Sequence, residues 1–113
     1  MKITTDASIY EIEPKKVVYP ENRDDLIKVI RNLLSDKQSF TMRAGGTSIG
    51  GQAIGDGVLV DISKYLTNII DFQEKEIIVE PGVIQDDLNL FLKPYNLKFA
   101  PDTSTSNRAM IGG

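Results

Sequence analysis

Residues 42 to 53 combine the residue types that proteins use to hold a phosphate group. The segment reads Met-Arg-Ala-Gly-Gly-Thr-Ser-Ile-Gly-Gly-Gln-Ala and overlaps the end of a strand-like run, Phe40 to Arg43. Glycine permits positive φ angles and leaves the backbone uncovered, so successive N–H groups can converge on an anion. Thr47 and Ser48 add hydroxyl donors, and Arg43 is the cation of the segment. The pattern predicts a phosphate or diphosphate site, with a plain Gly-rich connection between two strands as the alternative.

Two common phosphate-binding motifs do not fit this loop. Counted from Gly45, the G-x-x-x-x-G-K-[ST] motif finds Gly50, but Gly51 and Gln52 then stand where the lysine and the hydroxyl belong. The G-x-G-x-x-G motif is also missing, and no helical period follows the loop. The loop therefore predicts that a diphosphate is held without phosphoryl transfer.

The composition restricts the chemistry that the chain can perform. Its 113 residues, 41% hydrophobic content and net charge of −3 are ordinary for one globular domain and give no reason to expect nucleic acid. Cysteine and histidine are both absent, which excludes disulfides, thiolate nucleophiles, histidine bases and the usual zinc and iron–sulfur ligands. We predict no metal site and no catalytic residue here. Without a long apolar run or a signal peptide, we expect a cytoplasmic chain with no membrane span.

Hydrophobic periodicity predicts an α+β fold, with a small parallel or mixed sheet and two main helices. Strand–helix–strand order predicts a parallel crossover, and one helix is expected to begin after Asn22 as its N-cap. The tail from Leu97 to Gly113 has no period. The predicted strands are 17–19, 40–43, 58–62, 69–72 and 76–80, the last two as a hairpin, and the second helix covers 84–92 until Pro94 stops it.

Single charged and aromatic side chains leave alternatives open. Arg43 is predicted either to neutralise a phosphate or to pair with an acid in the sheet. Asp61 is expected to cap the turn at Ser63, with a ribose contact as the alternative. The four phenylalanines are expected to be core residues.

Three blocks in order along the chain carry a resemblance to a known flavoprotein family. They are the Gly-rich loop, the break Glu80-Pro81-Gly82-Val83, and the closing segment at residues 101–113, which reads Pro-Asp-Thr-Ser-Thr-Ser-Asn-Arg-Ala-Met-Ile-Gly-Gly. In these blocks the chain resembles the N-terminal part of the FAD-binding domain of the vanillyl-alcohol oxidase and p-cresol methylhydroxylase (PCMH) type. It is most similar to FAD-linked D-2-hydroxyacid dehydrogenases of the glycolate, D-lactate and D-2-hydroxyglutarate kind. The resemblance implies that residues 1–113 are the first subdomain of a two-part FAD-binding domain.

The resemblance also implies which residues contact the cofactor. Thr47 stands where one branch of the family has the histidine that bonds covalently to FAD, so the resemblance implies non-covalent FAD. The implied diphosphate and adenosine contacts are Arg43, Ala44, Gly45, Gly46, Thr47, Ser48, Gly51 and Gln52. Pro101, Asp102, Ser104, Ile111, Gly112 and Gly113 would line the rest of FAD.

The implied activity belongs to a parent enzyme that oxidises a D-2-hydroxy acid to a 2-oxo acid. Substrate-handling residues would lie in parts of the parent outside this chain, and the similarity to large family members that carry an iron–sulfur half implies that such a cluster would lie there too. We expect a truncated fragment that is inactive alone, binds FAD weakly or not at all, and self-associates through an uncovered apolar surface. The alternatives are a stand-alone nucleotide-binding or interaction module, and another PCMH-type flavoenzyme such as UDP-N-acetylenolpyruvoylglucosamine reductase.

Overall fold

A buried central strand, β3 (Val58–Asp61), organises the first half of the fold. Both β1 (Lys16–Val18) and β2 (Phe40–Arg43) pair with it in parallel, in the order β1-β3-β2. All four residues of β3 are buried, because a strand between two parallel neighbours is covered on its edges and on both faces. The structure, a computed structural model, describes residues 5, 6, 8, 10–48 and 51–113.

Helix α1 (Arg23–Ser35) forms the crossover between β1 and β2. As predicted, Asn22 is its N-cap, and the Asn22 side chain accepts a hydrogen bond of 2.8 Å from the backbone N–H of Asp25. The helix has no fully buried residue, and Leu34, which belongs to its apolar stripe, is 63% exposed. The apolar face of α1 is therefore covered only in part.

The second half of the chain packs a hairpin against a short helix. Strands β4 (Ile69–Gln73) and β5 (Glu76–Val79) are antiparallel, and α2 (Gln85–Leu92) is followed by a 3₁₀ turn at Lys93–Tyr95. Leu88 and Leu92 of α2 form a core cluster with Val83, against which half-buried residues of the hairpin pack. The predicted hairpin and the predicted second helix are both confirmed, and so is the α+β class.

The phenylalanines contribute less to the core than their residue type predicts. Phe91 is 37% exposed and meets Phe72 edge to face, with ring centroids 5.7 Å apart. Tyr95, at 55% exposure, lies against the same Phe72 ring at 4.7 Å. The side chains below 2% exposure are instead aliphatic, Leu59, Leu66 and Leu88 among them. Self-association through exposed apolar side chains of this kind stays a prediction.

The connection from β2 to β3, residues 44–57, is the Gly-rich loop and its continuation. Parallel neighbours need a connection of about a dozen residues or more, usually a helix. Here irregular backbone makes the connection, and its ends are fixed by the ladder that pairs Met42 with Val60. A further hydrogen bond of 3.0 Å runs from the N–H of Ile62 to the carbonyl of Arg43. Among the described residues, no helix has both the length and the apolar character needed to cross a membrane.

Candidate functional site

The closing segment runs antiparallel to the chain that leads into α2. Its N–H groups at Gly112 and Ile111 donate to the carbonyls of Pro81 and Val83, at 2.9 and 3.0 Å. In return, the carbonyl of Ala109 accepts a 2.9 Å hydrogen bond from the N–H of Gln85. The N-cap of α2 makes no side-chain hydrogen bond, so backbone carbonyls of the closing segment satisfy part of the helix N-terminus instead. These bonds fix a segment that has no helical or strand period.

The Gly-rich loop touches the closing segment through its glycines. A Cβ atom placed on Gly45 would lie 2.5 Å from the carbonyl oxygen of Arg108, so only glycine fits this close approach without movement. Gly46 has a φ of 69°, in the left-handed region that glycine adopts without strain. The backbone of the closing segment is thus in contact with the loop, and the three blocks of the resemblance lie side by side.

A cavity of about 350 Å³ lies between the loop and the closing segment, a size at the lower end of small-molecule pockets. Several of the predicted site residues line it: Ala44, Gly45, Gly46, Thr47, Ser48, Gln52, Pro101, Ile111 and Gly113. The lining also includes residues that the sequence did not indicate, namely Met42, Ala53, Gln85, Phe99, Thr103, Ala109 and Met110.

The backbone at residues 44–48 has the donors that an anion needs. In the part of the chain that the structure describes, none of these five N–H groups donates to a protein acceptor. None of the side chains that line the cavity carries a formal charge. The loop backbone that lines the cavity therefore offers available N–H donors together with the Thr47 hydroxyl, groups that suit a diphosphate. The absence of side chains at Gly45 and Gly46 leaves room for its oxygens.

Five predicted site residues lie outside the lining of this cavity. Their cofactor contacts stay predictions: Arg43, Gly51, Asp102, Ser104 and Gly112. Asp102 forms an exposed ion pair with Lys98, at 3.0 Å. Ile49 and Gly50, within the predicted loop, lie outside the described residues.

The guanidinium of Arg43 points to backbone carbonyls. Its Nη1 donates to the carbonyl oxygens of Thr5 and Ala53, at 2.7 and 3.1 Å. It also lies against the backbone of Gly46. In the described residues Arg43 makes no ion pair with an acid, which was one of its two predicted roles. Asp61 does cap its turn as predicted, since it accepts a 2.8 Å hydrogen bond from the N–H of Ser63.

The hydroxyl of Ser48 is paired with a carboxylate that sequence reasoning did not single out. Ser48 Oγ donates to Asp6 Oδ2 at 2.5 Å. This hydrogen bond is the largest cause that lowers the pKa of Asp6 well below its ordinary value, and hydrogen bonds from Ser8 and Ala53 add to it. Because the charged form is favoured in the folded chain, the stabilisation is present above about pH 4 and is lost as the pH falls further. The one local signal was the Asp-x-Ser spacing of an Asx turn, which Asp6 and Ser8 form.

Gln85 was also missed, because its role depends on residues distant in sequence. Its side chain is buried, at 4% exposure. The amide Nε2 donates to the carbonyl of Pro101 at 2.5 Å, and Oε1 accepts from the hydroxyl of Thr103 at 2.9 Å. Gln85 therefore fastens the start of the closing segment to α2, at one wall of the cavity.

Across the described residues, no cluster of three or more histidine, cysteine or acidic side chains is placed to bind a metal ion.

Known proteins resemble this chain in sequence along its whole length. It is 42% identical to the D-2-hydroxyglutarate dehydrogenase of Escherichia coli (strain K12), an alignment that covers 100% of this chain and 12% of that protein. It is 28% identical to the glycolate oxidase subunit GlcD of Bacillus subtilis (strain 168), over 92% of this chain and 23% of that protein. The chain thus spans roughly an eighth of the first of these relatives.

A solved structure and a family model agree on the class of domain. An alkyldihydroxyacetonephosphate synthase superposes with a TM-score of 0.76 over 91% of this chain and 20% of that one; at 14% identity this likeness shows the fold. The model of the family described as FAD binding domain matches residues 14–113. That match contains the loop, the cavity and the closing segment. The chain belongs to the FAD binding domain family, and its cofactor is FAD.

Proposed function

We propose that the cavity between residues 44–48 and the closing segment holds the diphosphate of FAD, as part of a dehydrogenase that oxidises a D-2-hydroxy acid to a 2-oxo acid. The observation that carries the proposal is the set of five N–H groups at residues 44–48 that have no protein acceptor within the described residues. These partly buried residues line a cavity that has no charged side chain, in a chain of the FAD-binding family. N–H donors that make no bond within the protein are available to a ligand, and one with several anionic oxygens is the natural acceptor.

The residues of this chain bind and orient the cofactor. FAD, when bound, would supply the hydride-accepting chemistry, which is the cofactor's own. The loop backbone and Thr47 hold the diphosphate, while Pro101, Ile111 and Gly113 line the cavity opposite. The cavity contains no carboxylate, lysine or tyrosine that would serve as an acid or base. Proton transfer and substrate recognition are therefore assigned to parts of the parent enzyme beyond these residues.

The substrate class rests on the relatives. Their names refer to the 2-hydroxy acids D-2-hydroxyglutarate and glycolate, and a yeast relative, 29% identical, is a D-lactate dehydrogenase. These names favour a hydroxy-acid dehydrogenase over the enolpyruvoyl reductase and over a module without catalysis. We place the parent enzyme in the cytoplasm, which the bacterial relatives fit.

The proposal is tested by following the backbone amides of the 113-residue chain by NMR while FAD is added. Of the two outcomes expected from the sequence, weak binding and none, the complete lining of the cavity favours weak, saturable binding, with the largest chemical-shift changes at residues 44–48 and 109–113. Titration up to about 1 mM FAD suffices, because a Kd of 1 mM corresponds to only about 4 kcal/mol. Adenosine, which has no phosphate, should leave residues 44–48 unmoved. No response to FAD at these amides, or the same response to adenosine, would refute the proposed site.

We also predict that FAD is held without a covalent bond. The chain contains no histidine or cysteine, and a threonine at position 47 cannot form the histidyl link of the covalent flavoproteins. Acid precipitation of the FAD-loaded chain should leave the flavin absorbance in the supernatant. Flavin absorbance that stays with the precipitated polypeptide would contradict this prediction.

A further inference from the structure

The segment before β1 reaches the back of the Gly-rich loop. Asp6 Oδ2 accepts a hydrogen bond from Ser48 Oγ at 2.5 Å and another from the N–H of Ala53 at 3.3 Å. One carboxylate oxygen thus joins Ser48 to Ala53. The residue that makes this connection, Asp6, lies outside the loop.

Arg43 also connects Ala53 to the segment before β1. Its guanidinium bridges the carbonyls of Thr5 and Ala53. The peptide groups on either side of Ala53 are therefore both held, the N–H by Asp6 and the carbonyl by Arg43. We call Thr5 and Asp6, with their three hydrogen bonds to Arg43, Ser48 and Ala53, the N-terminal clamp.

The clamp acts on the loop and makes no contact with the cavity. Neither Thr5 nor Asp6 lines the cavity, whereas Ser48 and Ala53 do. A carboxylate that faced a diphosphate would repel it. By taking the Ser48 hydroxyl and the Ala53 N–H, Asp6 instead fixes the segment that follows the free N–H groups of residues 44–48. The clamp also lies outside residues 14–113, the part of the chain that the family model matches.

We propose that Asp6 is a positioning residue for the diphosphate loop, holding Ser48 and Ala53 together so that the N–H groups of 44–48 converge on one anion; this rests on the proposed function. Tyr10 supports the same arrangement, because its ring lies within 3.2 Å of where a Cβ on Gly51 would be. In this role the hydrogen bond between Ser48 and the Asp6 carboxylate maintains the geometry of the loop. Asp6 itself neither lines the cavity nor belongs to the buried core. Charge-assisted hydrogen bonds of this kind are about twice as strong as neutral ones.

The first test measures amide hydrogen exchange in the full chain without FAD. Asp6→Ala should raise the exchange rate at Ala53 about 10-fold while the rate at Leu59 in β3 stays unchanged, because local opening and global unfolding are separate events. Asp6→Asn, which keeps one acceptor oxygen, should fall in between and serves if Asp6→Ala does not fold. Asp71→Ala is the matched control, since Asp71 is an exposed acid on β4 whose carboxylate makes no hydrogen bond in the described residues. An unchanged rate at Ala53, or equal acceleration at Leu59, would overturn the proposal.

The second test measures FAD affinity by the amide titration. Asp6→Ala should weaken binding about 10-fold, since one hydrogen bond to a charged group has roughly this effect. In a Ser48→Ala background, the same change should weaken it less than about 3-fold, because coupled residues are not additive. Unchanged affinity in Asp6→Ala, or fully additive losses, would refute positioning through Ser48. If the unchanged chain shows no response to FAD, the proposed function fails, and the exchange measurement alone decides whether the clamp exists.

Discussion

The Gly45→Val variant should bind FAD about 10- to 100-fold more weakly than the unchanged chain. A Cβ at this position would lie 2.5 Å from the carbonyl oxygen of Arg108, closer than the 3.3 Å or more of a carbon–oxygen contact. The loop and the closing segment must then move apart, and overpacking of this kind costs about 1–3 kcal/mol. If this free-energy cost is borne by the FAD-bound form, it corresponds to a loss of affinity of about 10- to 100-fold. Amide chemical shifts during an FAD titration measure the affinity.

A matched variant separates loss of the site from loss of the fold. Thr67→Val also introduces valine in a connecting segment, but Thr67 is exposed and lies outside the cavity. It should bind FAD like the unchanged chain. If Gly45→Val retains full affinity while its spectrum shows a folded protein, the contact between the loop and the closing segment is not needed for binding.

The Gln85→Leu variant should lower the free energy of unfolding by about 1–3 kcal/mol, the usual cost of leaving buried polar partners unsatisfied. Leucine is close to glutamine in size but offers neither the donor that Pro101 uses nor the acceptor that Thr103 uses. The closing segment should loosen at its start, and FAD affinity should fall with it. Urea denaturation gives the stability, and the amide titration gives the affinity.

Gln73→Leu is the control for this change, because Gln73 is an exposed residue at the end of β4. It should leave stability within about 0.5 kcal/mol of the unchanged chain, as surface substitutions usually do. Equal losses in the two variants would mean that the buried amide of Gln85 has no special role in holding the closing segment.

Local sequence patterns were enough to predict most of the helices and strands. The strand at Phe40–Arg43 and the N-cap at Asn22 are where the residue types placed them, because strand-forming residues and capping side chains act over a few positions. The hairpin followed from two apolar runs separated by a polar turn. Leu34 shows the limit of this reasoning: its spacing fits the apolar stripe, but whether a stripe is covered depends on what packs against it, and here it is exposed.

The candidate site was predicted less completely than the helices and strands, for the same physical reason. Glycine and hydroxyl residues indicated the loop because a phosphate needs free N–H groups, and these act locally. Asp6, Gln85 and the new partners of Arg43 could not be foreseen, since each makes hydrogen bonds to residues brought near only by the fold. The family resemblance assigned residues to the site by their positions in the family's sequence pattern. Some of these residues, such as Ser104, lie outside the cavity.

The position of the loop between β2 and β3 links the cofactor to the order of folding. Both ends of residues 44–57 are fixed by strands that pair in parallel, and β3 must also pair with β1, far earlier in the chain. Non-local pairing of this kind forms slowly, so the binding loop takes its shape only after the sheet has assembled. Binding of FAD at this loop would therefore favour the assembled chain over the unfolded one by mass action. We expect any stabilisation of the fold by FAD to depend on the completed sheet as well as on the loop.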